Sequence, residues 1–111
     1  MLGFRVLTVV VFSSLLAYTA IVAVNHGLNL LPIFFGDMAK LEWPGQFNLD
    51  FMFMLTFSAL WVSWRHRFSG PGLALGLLAL FGGALFLSAY LFIESLRANG
   101  DPKRLVLGQN A

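Results

Sequence analysis

A chain of 111 residues that is 59% hydrophobic and only 11% charged is not an ordinary soluble domain, where about a quarter of residues carry charge. The absence of cysteine excludes disulfides, thiolate nucleophiles and Cys-ligated metals. The net charge of +2 rests on seven scattered Lys and Arg residues, with no basic block dense enough to hold nucleic acid.

The first element is an apolar run from Val6 to Asn25 that contains no charged residue. At 1.5 Å per residue, roughly 20 apolar residues cross a bilayer core, and a first span is expected over about 5–24. A secretory signal peptide is the competing reading, with Ala17, Thr19 and Ala20 as a weak cleavage region. The run outlasts a usual signal core, which favours an uncleaved span. Asn25-His26-Gly27 stops the helix, since Asn and Gly tolerate a left-handed backbone.

Leu28 to Phe35 is apolar, broken by Pro32 and too short to span, so the first loop is expected to carry an interfacial segment. Trp43-Pro44-Gly45 makes a turn whose Trp suits the headgroup level. The second span is expected over about 47–64. Asn48 is its expected N-cap, and Asp50 falls in its first turn, where the dipole favours an anion. It closes on an aromatic belt, Trp61 and Trp64, with the basic collar Arg65-His66-Arg67 behind it.

Ser69-Gly70-Pro71-Gly72 is a tight turn leading into a third expected span over about 73–95. The tail, 96–111, opens on a polar turn and ends in the short apolar stretch Leu105-Val106-Leu107. The fold class that follows is all-α membrane: three transmembrane helices, up-down-up, in a single integral membrane domain covering 1–111. Positive-inside counting gives three cations inside with the N-terminus cytoplasmic and four with the reverse. The collar in the shortest loop tilts the choice to a cytoplasmic N-terminus.

Gly72, Gly76, Ala79 and Gly83 recur at spacings of four, three and four, a smooth face for close helix packing. It serves either the first two spans or another membrane subunit. Tyr90 and Glu94 continue this face, with Arg97 one turn beyond Glu94 for an i, i+3 pair. In an up-down-up arrangement His26, Asp50, Tyr90, Glu94 and Arg97 gather at one membrane face. They form either a structural network or a site for a ligand or proton. His26 and His66 lie on opposite faces, roughly 30 Å apart, which excludes a shared haem. Phe53, Phe57, Trp61 and Trp64 form an aromatic stripe, read either as lipid-facing or as a quinone or pigment groove.

Phe47-Asn48-Leu49-Asp50-Phe51, Trp61-Val62-Ser63-Trp64-Arg65, Gly82-Gly83, Tyr90, Gly100-Asp101-Pro102 and Leu107-Gly108 together resemble a family of small uncharacterised three-span membrane proteins of bacteria, with distant plant relatives. The resemblance covers about residues 40–108 and implies the three-span architecture, with no activity attached. The expected role is a structural or accessory subunit acting by helix packing in a larger membrane complex, in the bacterial inner membrane. An oligomeric transporter or channel is the alternative. No nucleophile–base pair argues for an enzyme, and no residues argue for a cofactor or metal. The expected partners are the lipid bilayer and other membrane subunits, or further copies of the chain.

Overall fold

A computed structural model describes all 111 residues, and every regular element is a helix. The order is α1 (Leu2–His26), α2 (Leu31–Ala39), α3 (Trp43–Arg65), α4 (Gly70–Arg97) and α5 (Pro102–Leu107), followed by a 3-10 turn at Gly108–Asn110. Two helices, α1 and α4, are long and apolar enough to cross a membrane by length and composition. Only 15 of the 111 residues are buried, and many large apolar side chains are exposed.

Helix α1 ends where expected, at Gly27 with φ 76°. The segment after it is a nine-residue helix with Pro32 in its first turn, where the missing N–H leaves no hydrogen bond unmade. It docks on the start of α3 rather than lying alone. A side chain at Gly45 would collide with the backbone of Asp37 and Met38, and Asn48 Nδ2 donates to the Phe34 carbonyl at 3.1 Å. Asn48 is therefore not the N-cap. α3 begins a turn earlier, at Trp43-Pro44, and Asp50 lies beyond the first turn, where the dipole advantage has faded.

The principal departure from expectation is α4. A straight helix of 28 residues would be about 42 Å long, yet both of its ends meet the same few residues of α3. At its start, a side chain on Gly72 would meet Ser63 and His66. Near its end, Glu94 Oε2 lies 3.2 Å from Arg65 Nη1. The chain reverses at Gly83, whose backbone (φ 57°, ψ −145°) is not helical. This is a conformation that essentially only glycine adopts. The expected span over 73–95 is thus two antiparallel half-helices, 70–82 and 84–97, each about 20 Å long. Neither alone matches the roughly 30 Å hydrocarbon core.

The first half packs along α3 through the expected smooth face. Ala79 and Val62 are fully buried against each other's surroundings, a side chain on Gly76 would press on the Ala59 carbonyl at 3.0 Å, and Gly83 meets Phe51 and Leu55. Gly72, Gly76, Ala79 and Gly83 are all buried. This face is consumed inside the chain. The second half returns along α1: Thr8, Val9 and Phe12 border Ser88, Ala89 and Phe92, while Arg5 reaches Ser95 Oγ at 3.1 Å. α1 packs on α4, not along α3. The part of α3 that precedes Phe51 extends past the hairpin tip, where α2 packs on it.

Candidate functional site

Reversal at Gly83 assembles a polar centre that no straight helix would allow. Arg65, the last residue of α3, is carried onto the end of α4 and under the tail, with 3% of its surface exposed. Its guanidinium serves several acceptors at once. Nη1 donates to Tyr90 Oη at 2.9 Å and pairs with Glu94 Oε2 at 3.2 Å. Nε donates to the Leu105 carbonyl, and Nη2 to the Arg104 carbonyl at 3.3 Å. A planar fork with fixed donor directions is what such a divided task requires, and an ammonium has no equivalent.

The tail is held in place by the same neighbourhood. Asp101 caps α5 by accepting from the Lys103 N–H. Trp61 Nε1 donates to the Val106 carbonyl, and Asn110 Nδ2 to the Trp64 carbonyl. Gly108, at φ 59°, turns the chain directly over Arg65. The short apolar stretch expected to touch the interface is instead docked on the end of α3, with Leu105 buried.

Glu94 is 6% exposed and fully committed. Its second oxygen, Oε1, receives Arg97 Nη1 at 3.2 Å, the expected i, i+3 pair. Tyr90 Oη accepts from Arg65 and lies 2.7 Å from His66 Nε2. The Tyr90 hydroxyl is thus shared between a guanidinium and an imidazole. His66 lies just past α3, and burial, then the adjacent Arg65 charge, lower its pKa from the ordinary 6.5. Phe86 stacks on the Tyr90 ring and Trp61 meets it edge-on, fixing the phenol from two sides.

Of the five polar residues expected to converge, the structure brings together Tyr90, Glu94 and Arg97. His26 and Asp50 do not join them. Both are exposed and belong to the opposite end of the molecule, because the end of α4 folds back to the level of Arg65. His66 and Arg65, expected across the membrane from Glu94, are its neighbours. His26 and His66 do remain at opposite ends. No group of three His, Asp or Glu side chains is close enough to hold a metal ion.

Between α3, α4 and the tail lies an open cleft of about 200 Å³, bordered by Arg65, His66, Glu94, Arg97, Arg104 and Gln109. Its surroundings carry three guanidinium groups against one carboxylate. No protein-family model matches this chain, and no curated protein or solved structure is similar to it at a significant level.

Proposed function

We propose that the chain is a multi-pass inner-membrane protein of bacterial type in which α1 and α3 cross the bilayer and the α4 hairpin enters from one face and returns to it. The observation that carries this reading is the sorting of charge by the observed fold. Arg5, Arg65, Arg67, Arg97, Lys103 and Arg104, six of the seven cations, fall at the end where α4 begins and finishes. Offset by Glu94 and Asp101, they leave that end at +4; Lys40 with Asp37, Glu42 and Asp50 leaves the other at −2. The near-tie of an up-down-up arrangement becomes a strong positive-inside signal, with both termini cytoplasmic.

The lack of cysteine makes the test direct. Single cysteines at Gly3, Asn25, Glu42 and Gln109 are exposed in intact cells to a membrane-impermeant maleimide. The proposed arrangement labels positions 25 and 42 without permeabilisation, and positions 3 and 109 only after it. Labelling of 109 from outside would restore three full spans, the architecture implied by the family resemblance.

Within the membrane the role we assign is that of an accessory subunit. The smooth face of α4 is used internally, so a partner must meet α1 and α3 on their outer surfaces. Asp50 marks one such surface. It stands exposed beside the exposed Phe53, Met54 and Phe57, about 22 Å along α3 from Arg65. That position is several ångströms inside a core of roughly 30 Å, where an ionisable side chain is retained for a partner or a path. Asp50→Leu should leave the isolated protein's stability unchanged while reducing co-purification of partners in mild detergent. Recovery of the native chain as a lone monomer across several mild detergents would count against this role. The same carboxylate supports the alternative, an oligomeric transporter or channel, which proteoliposome flux abolished by Asp50→Asn would favour.

A further inference from the structure

The structure assigns the cleft beside Arg65 a ligand: we infer that it binds a phosphate group, presented by an anionic phospholipid of the cytoplasmic leaflet. The argument starts from which charges are already spent. Glu94 gives one oxygen to Arg65 and the other to Arg97, so both oxygens of the cleft's single carboxylate are already paired with guanidinium groups. Arg65 is occupied by Tyr90, Glu94 and two tail carbonyls, which also keeps those carbonyl oxygens engaged with Arg65.

Two cations are left with donors to give. Arg97 uses only Nη1 internally, and its side chain is 71% exposed. The Arg104 guanidinium makes no hydrogen bond within the chain, and its backbone is fixed because its carbonyl accepts from Arg65. Both border the cleft, with the Gln109 amide and His66. Guanidinium forks suit the planar, bidentate recognition of phosphate oxygens. The base beneath them is rigid and buried.

The position selects the source of that phosphate. The cleft opens at the end of α3, one residue past Trp64 in the chain, and a Trp at a helix end suits the headgroup level. A basic recess between helices on the cytoplasmic side is suited to an anionic headgroup. The lipid source rests on the membrane reading above, whereas the phosphate chemistry does not.

The test uses the full chain purified in a mild non-ionic detergent, with retained lipid counted by native mass spectrometry after adding phosphatidylglycerol, phosphatidylcholine or inorganic phosphate. Phosphatidylglycerol should be retained at least tenfold over phosphatidylcholine. Arg97→Gln with Arg104→Gln should remove that preference, since each charge-assisted contact is worth about a tenfold change or more. Arg104→Gln alone, which breaks no internal hydrogen bond, should lose part of it and answers for any folding defect of the pair. Arg67→Gln with Lys103→Gln removes equal charge outside the cleft and should leave the preference intact. Inorganic phosphate that competes equally, with the same dependence on Arg97 and Arg104, would keep the phosphate site and replace its source. Equal loss in the Arg67/Lys103 variant, or no preference in the native chain, would overturn the proposal. Neither result bears on the maleimide pattern, so the site and the topology fail separately.

Discussion

Residue by residue, the energetics concentrate on Arg65 and Glu94. A buried ion pair gains little over well-packed apolar side chains, but removing one partner strands the other charge, typically at about 3–5 kcal/mol. Glu94→Leu should therefore lower stability by about that amount, more than the exposed Arg97→Ala, whose pair is worth up to about 1 kcal/mol. Arg65→Met combined with Glu94→Leu should recover much of the loss. It should not recover the tail, because Arg65 also holds the Leu105 and Arg104 carbonyls. Limited proteolysis after Ala98 would read the tail, and thermal unfolding in detergent the pair. His66 adds a pH dependence. Its folded pKa lies below its unfolded value, so the unfolded chain binds the extra proton first. Its contribution is complete above pH 6.5 and is lost as pH falls through the folded value. Unfolding temperature should decline on acidification below 6.5, and His66→Gln should flatten that slope.

Among the elements, α4 decides the architecture through a single position. At Gly83 an added Cβ would face a left-handed backbone and Phe51 Cζ at 3.1 Å. Gly83→Ala should lower stability by about 1–3 kcal/mol, whereas Gly36→Ala, inside α2 with open space around it, should raise it by about 0.5–1 kcal/mol; chemical denaturation in mixed micelles measures both. The apolar runs read as helices because hydropathy reports which residues avoid water, and α1 and α3 match their expected ranges to within a few residues. Hydropathy carries no information on direction. A run of 24 uncharged residues is equally a rod across the bilayer or a hairpin halfway in. The doublet Gly82-Gly83 was the one visible sign, and it serves smooth packing and chain reversal equally well. A straight rod puts His26 and Asp50 beside Tyr90 and Glu94; the hairpin puts them at the opposite end. Tyr90, Glu94 and Arg97 were legible as a single helix face whatever the direction of travel; Arg65 and His66 were not, since their role exists only once α4 returns.

For the whole molecule, charge and shape point the same way. If the +4 end fixes the orientation, then weakening it should loosen that choice. Arg67→Gln, Lys103→Gln and Arg104→Gln, together with new lysines at Leu28 and Leu41, should produce a mixed population in which a cysteine at Gln109 labels partly from outside. The hairpin has a mechanical consequence as well. In the proposed topology four helical segments surround the Arg65 end, whereas α1, α3 and the nine-residue α2 make up the other. With each helix about 10–12 Å across, that arrangement has the larger cross-section at the Arg65 end. Such a wedge expands one side of a membrane more than the other, so its free energy depends on local curvature. It will gather where the bilayer bends to relieve that imbalance. Comparing its density on narrow membrane tubes with that on flat bilayers would measure the preference, and Gly83→Ala, by disturbing the hairpin, should weaken it.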